Sequence, residues 1–161
     1  MYIPSRRSVL TLLGAGVLLP LAACRSGRLV PVQGGGVSSD TRAIVGFIRT
    51  ENGLPALRPD RRLERAALQQ AHFMARVGRM THDTGRGRDF ASRMTASSIG
   101  GVAAENIAVG RMGYERLFSM WMNSPPHRKN MLNPQFTRYG LAYAEATPGS
   151  DQKYWAIILA S

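Results

Sequence analysis

The chain has 161 residues, a length that suits one ordinary domain, and its 21 lysines and arginines against 10 aspartates and glutamates give a formal charge of +11. An apolar share of 44% argues against wholesale disorder, and a single cysteine excludes an internal disulfide framework and any multi-cysteine zinc or iron–sulfur site. No apolar run reaches the ~18–20 residues that a membrane-spanning helix needs. All but two of the cations are arginines, scattered from Arg6 to Arg138 without a dense block. That scatter describes a solvated surface that favours anionic lipid or polymer. It does not describe the stripe or arm of a specific nucleic-acid binder.

The N-terminus reads Ser5-Arg6-Arg7-Ser8-Val9-Leu10 and continues apolar to Leu19. A charged head followed by a short apolar stretch is an export signal, so residues 1–23 are expected to be a signal peptide. The Arg6-Arg7 pair resembles a twin-arginine signal, with a general secretory signal carrying two arginines as the alternative. Leu21-Ala22-Ala23-Cys24 resembles the bacterial lipobox, which implies that Cys24 is lipidated with palmitate-type chains and becomes the first mature residue. Each buried methylene of such a chain contributes ~0.8 kcal/mol to membrane binding. Arg25 rather than aspartate follows, which by resemblance permits sorting to the outer membrane, on its periplasmic side or at the cell surface. Residues 24–39, with Gly34-Gly35-Gly36 and Ser38-Ser39, read as lipid anchor and flexible tether. The folded domain is then expected over 40–161, as a monomer.

Asp40 is placed to cap a first helix in which Ile44, Phe47 and Ile48 recur at helical spacing, and Gly53-Leu54-Pro55 stops it. From Arg61 a sustained stripe of Leu63, Ala66, Ala67, Ala71, Met74 and Val77 predicts the strongest helix, closed by Gly78. Its alanines predict close packing against another layer. His72 falls beside that stripe and reads as structural or solvated. A short helix is expected near Asp89–Met94, followed by a loop at Ser97–Gly101. Tyr114, Leu117, Phe118 and Trp121 predict a helix over 113–123. Ser124-Pro125-Pro126-His127 then starts a short helix that runs to Met131. In the tail Tyr139, Leu141 and Tyr143 alternate with Gly140, Ala142 and Ala144. Trp155, Ile157 and Leu159 alternate likewise, and Pro148-Gly149 turns between the two runs, so two strands should form an antiparallel hairpin. Helices first and strands last imply an α+β domain with helices covering a small antiparallel sheet.

Three groups could carry chemistry, namely His82, Glu105 and His127, which are far apart in sequence and expected in loops or at helix starts. There is no Gly-x-Ser-x-Gly turn and no phosphate-cradling Gly-x-x-x-x-Gly-Lys loop. The methionines between Met112 and Met131 read first as pliable core filler and second as the wall of a lipid groove.

The stretches Asn52-Gly53-Leu54-Pro55-Ala56-Leu57, Ala104-Glu105-Asn106-Ile107-Ala108, Trp121-Met122-Asn123-Ser124-Pro125-Pro126-His127-Arg128-Lys129-Asn130-Met131-Leu132 and Phe136-Thr137 with Tyr139-Gly140 stand in one order. In that order they resemble the CAP superfamily of cysteine-rich secretory, antigen-five and plant pathogenesis-related proteins, its bacterial branch above all. The resemblance covers about 41–159. It implies a three-layer α-β-α sandwich. It also implies a central cavity lined by two histidines and two acidic residues, at which some members bind zinc. His82, Glu105 and His127 match three of those positions, and Ser124 stands where eukaryotic members carry the second glutamate. Asn106, Trp121 and Ser124 would support the cavity.

Two histidines and one glutamate with an open water position suit a catalytic zinc. The alternative is a hydrogen-bonded polar cluster that holds loops together. The first expectation is therefore a lipid-anchored envelope domain, bound to the membrane through Cys24. It would bind a small molecule, a lipid or an anionic envelope polymer at the His/Glu cavity without chemistry. The alternative is a metal-assisted hydrolase of peptide or envelope polymer using His82, Glu105 and His127. A purely structural envelope role is a third reading.

Overall fold

A computed structural model describes residues 33–161, and the expected signal peptide and Cys24 lie outside the described residues. Ten elements follow in chain order: β1 (Gly34–Gly36), α1 (Arg42–Thr50), β2 (Arg58–Pro59), α2 (Arg61–Val77), α3 (Phe90–Ala96), β3 (Ala103–Gly110), α4 (Tyr114–Asn123), α5 (Pro125–Met131), β4 (Arg138–Glu145) and β5 (Lys153–Ala160). The expected hairpin is β4–β5, antiparallel from Arg138↔Ala160 to Glu145↔Lys153. It forms the middle of a sheet ordered β1-β4-β5-β3, with β3 antiparallel to β5.

The outer edge of β4 is shared by two short strands. β1 pairs antiparallel with Ala142–Ala144, and β2 pairs parallel with Arg138 and Tyr139. Between them the Ser38 hydroxyl accepts the Leu141 amide at 2.9 Å, while Val37 N–H donates to the Leu141 carbonyl at 2.9 Å. Both backbone groups of Leu141 thus find a partner where neither short strand reaches.

The sheet is covered on both faces, because the strand alternation is one of size. Ala142, Ala144, Ala156, Ile158 and Ala160 meet Leu63, Ala66, Ala67, Ala71 and Met74 of α2, joined by Met94 of α3. On the opposite face Tyr139, Leu141, Trp155, Ile157 and Leu159 meet Val45, Leu117, Phe118, Trp121 and Met131 from α1, α4 and α5. The three layers α-β-α are those expected. Small residues opposite α2 let it approach closely. A Cβ on Gly140 would fall inside the backbone of Leu63 and Glu64. Asp60 caps α2 through the amides of Arg62 and Leu63, and Gly78 ends it at φ 64°, where a side chain would be strained.

Several expectations are corrected. The glycine run read as tether is strand β1, and Val37 and Ser38 behind it are buried, so ordered structure begins before residue 40. The glycines are needed for proximity, since a side chain on Gly36 would strike Glu64 and one on Gly34 would strike the Tyr143 carbonyl. The cap position of α1 is Thr41, not Asp40, and its hydroxyl donates instead to the Val37 carbonyl at 2.9 Å. The sheet is also larger than a hairpin, and β3 is the strand that the sequence did not declare. His72 is half-buried, with its ring beneath β1.

Candidate functional site

The edge strand β3 carries the site. Alternate residues of a strand face opposite ways, so neighbouring Glu105 and Asn106 serve different layers. Glu105 lies on the α2/α3 face with Ile107, and Asn106 on the α4/α5 face with Ala108. The free edge between them is closed by side chains. The Trp121 indole N–H donates to the Ile107 carbonyl at 3.2 Å and the Asn130 amide donates to the Glu105 carbonyl at 3.5 Å. This keeps an otherwise open sheet edge from pairing with another chain.

On the first face the Glu105 carboxylate is fully engaged. Arg93 Nη1 donates to Oε2 at 2.7 Å and Nη2 donates to Oε1 at 2.9 Å, a two-pronged pair in which both side chains are 2% exposed. His82 Nδ1 also meets Oε1 at 2.8 Å, although its ring is 54% exposed. Arg93 is held in turn, donating from Nε to the Arg88 carbonyl at 3.1 Å and from Nη2 to the His82 carbonyl at 3.3 Å. Asp89 caps α3 by accepting the Ser92 amide at 2.9 Å, which sets the helix turn that presents Arg93. The His82 loop is fixed by Gln70 Nε2 donating to the Thr81 carbonyl at 2.7 Å and by the Asp83 carboxylate accepting the Gly85 amide at 2.9 Å.

On the second face Asn106 Nδ2 donates to the His127 carbonyl at 3.1 Å, and Asn130 Nδ2 donates to Asn106 Oδ1 at 2.9 Å. Asn106 is therefore a buried amide that fastens α5 to the strand, and Trp121 does the same for α4. Ser124 marks the junction of α4 and α5 and its carbonyl accepts the Arg128 amide at 2.8 Å, but its side chain makes no cap bond. Burial holds the His127 pKa below the usual histidine value, and the nearby His82 lowers it further. Its Nδ1 is buried without a protein partner. The three expected residues thus gather around one strand, His82 and Glu105 in direct contact on one face and His127 tied to the other through Asn106.

Arg93 is the residue that the sequence reading missed. Its signal was available, because it stands at a core-facing position of α3, three residues after Phe90 and beside Met94. Its presence changes the chemistry. A carboxylate bonded on both oxygens to a guanidinium has few lone pairs left with which to ligate a metal. Among the described residues no group of three or more His, Cys, Asp or Glu side chains is placed to hold a metal ion. The arrangement of His82, Glu105 and His127 does not fit a three-ligand zinc site.

Among the clefts that lie away from this cluster, two differ sharply in chemistry. An apolar groove of about 490 Å³ runs between α1 and α4, walled by Ile44, Phe47, Ile48, Phe118 and Met122, with Phe47 66% exposed. A basic cleft of about 360 Å³ lies between α2 and the end of α3.

Comparison with known proteins bears on the fold and the family. The chain is 34% identical over 99 residues to the uncharacterized protein YkwD of Bacillus subtilis (strain 168), covering 61% of this chain and 38% of that protein. It thus spans well under half of that relative's length. An extracellular protein containing a SCP domain from Bacillus anthracis str. Ames superposes with a TM-score of 0.65 at 26% identity, over 76% of this chain and 40% of that one. An outer surface protein from Borrelia burgdorferi shares the fold with a TM-score of 0.68 at 19% identity, over 80% and 96% of the two chains. Residues 46–159, which contain the Glu105-Asn106 strand and the Trp121-to-Asn130 helices that close its edge, match the pattern of the CAP, cysteine-rich secretory protein family, and the chain belongs to that family.

Proposed function

We propose that this chain is an exported, lipid-anchored binding module of the bacterial envelope, whose ligand meets the imidazole edges of His82 and His127 without being chemically altered there. One observation carries the reading. Arg93 satisfies both oxygens of Glu105, leaving two imidazoles as hydrogen-bonding groups but neither a free carboxylate base nor a three-ligand metal set. The ligand classes are a small molecule, a lipid or an envelope polymer. An extracellular relative and a surface-protein neighbour support a position outside the cytoplasm. The lipobox-like Leu21-Ala22-Ala23-Cys24 supports the anchor.

Native mass spectrometry of the full chain from its own envelope tests the reading. A co-purifying organic ligand and less than stoichiometric zinc are expected. One zinc per chain, lost on His82→Ala or His127→Ala, would overturn it in favour of the metal-assisted hydrolase. For the anchor, Cys24→Ser is expected to move the protein from the membrane to the soluble fraction, and unchanged fractionation would rule the lipid out.

A further inference from the structure

Arg62 and Arg65 stand one turn apart on α2 and Gln69 follows one turn later, so the three side chains share one exposed stripe. With Ser97 and Ser98 from the end of α3 they line the basic cleft. No carboxylate lines it. The neighbouring acids are committed elsewhere: Asp60 accepts the amides of Arg62 and Leu63 and the Arg138 guanidinium at 3.0 Å, and Glu64 turns away to accept the Ser38 amide at 2.9 Å. Among the described residues neither Arg62 nor Arg65 takes part in an ion pair. Two adjacent guanidinium groups without a counter-charge repel each other, and an anion between them relieves that repulsion.

The cleft is also organised in advance. Arg62 Nη1 donates to the Ser98 carbonyl at 3.1 Å, which ties helix to loop. Ser98 lies at φ 53°, the one non-glycine residue at positive φ among those described. That conformation ends α3 in a Schellman motif, with the Ser98 amide donating to the Thr95 carbonyl at 3.0 Å and the Ile99 amide to the Met94 carbonyl at 2.9 Å, which fixes the turn that presents Ser97 and Ser98.

We propose that this cleft is a phosphate-binding site. The guanidinium groups of Arg62 and Arg65 would grip the oxygens, and the Ser97 and Ser98 hydroxyls and the Gln69 amide would complete the donor set. Five donor side chains suit a tetrahedral anion with three or four oxygens better than a carboxylate with two. A volume of about 360 Å³ also leaves space for whatever carries the phosphate. The site stands apart from the His82–His127 edge and does not depend on the reading of that edge.

The test is calorimetric titration of inorganic phosphate into the full chain carrying Cys24→Ser, so that no acyl chain contributes. Saturable binding is expected, weakened about tenfold by Arg65→Gln without a change in Tm, and abolished when Arg62→Gln is added. Arg76→Gln, three turns further along the same helix, should leave it unchanged. Equal affinity in the double variant, or an equal loss in the Arg76→Gln control, would overturn the site and leave only diffuse attraction. Glycerol 3-phosphate and vesicles of phosphatidylglycerol in phosphatidylcholine separate the sources. Arg62- and Arg65-dependent binding to vesicles assigns a lipid headgroup, and the same dependence for the soluble ester alone assigns a free phosphate ester. Vesicle binding that ignores both arginines, together with no saturable phosphate binding, refutes the proposal.

Discussion

Arg93 and Glu105 form a buried ion pair whose members depend on each other far more than the fold depends on the pair. Removing one partner of such a pair strands the other charge in a low-dielectric interior, which typically destabilises by about 3–5 kcal/mol. Arg93→Met is therefore expected to lower Tm by on the order of 10 °C, read by thermal circular dichroism. Glu105→Gln added to Arg93→Met should recover part of that loss, because no unpaired charge remains. A double variant that is as unstable as the sum of the singles would show that the two side chains act independently. His82 contributes less, since half its ring is in water and it touches only one carboxylate oxygen. Arg49 plays a comparable part in the other layer. Wholly buried, it donates to the carbonyls of Pro55, Met131, Asn133 and Phe136 and so ties α1 to the chain that leaves α5.

At the scale of elements, the crossing of α2 over β4 sets how closely the layers approach. Gly140 lies directly beneath the first turn of α2, and a methyl there would collide with backbone that cannot move without shifting the whole helix. Gly140→Ala is expected to cost about 3 kcal/mol or more. Gly46→Ala in α1, whose nearest neighbour would be the Ala56 methyl at 3.9 Å, should be neutral or stabilising by up to ~1 kcal/mol. Equal denaturation midpoints for the two variants would refute the close approach. This crossing also explains what the sequence did and did not declare. α2 was legible because a 3.6-residue stripe runs unbroken from Leu63 to Met74 between Asp60 and Gly78. β4 and β5 were legible because large and small residues alternate, even though both faces are buried. β3 was not, because Glu105-Asn106 interrupts its apolar run at the two positions that serve the site. β1 was not, because a glycine run has the composition of a tether whether its freedom is used or its small size is. Of the candidate site, His82, Glu105 and His127 were expected from the family pattern, whereas the guanidinium paired with Glu105 was overlooked, although Arg93 is the one cation of α3 and stands at a core-facing position.

For the whole molecule, two histidines report on folding from opposite sides of the sheet. His72 sits on α2 beneath β1, and burial together with the neighbouring Arg76 holds its pKa below the usual value. His127 sits on α5, where burial and His82 act in the same direction. Each therefore binds fewer protons folded than unfolded in the interval between its folded value and the ordinary value near 6.5. Stability rises with pH wherever the unfolded chain holds more protons. The domain is thus expected to be at its most stable above about pH 7 with respect to these two groups, and to lose stability as pH falls through 6.5 towards their folded values, below which the loss levels off. The two lie in separate layers with no shared partner, so their effects should add. Urea midpoints measured between pH 5 and 8 should show the slope in the wild type, a shallower one in His72→Gln or His127→Gln, and the shallowest in the double variant. A slope that survives both substitutions would place the proton uptake elsewhere. A slope removed entirely by His127→Gln would assign it to the strand edge alone, and would make ligand binding there the process most sensitive to acid.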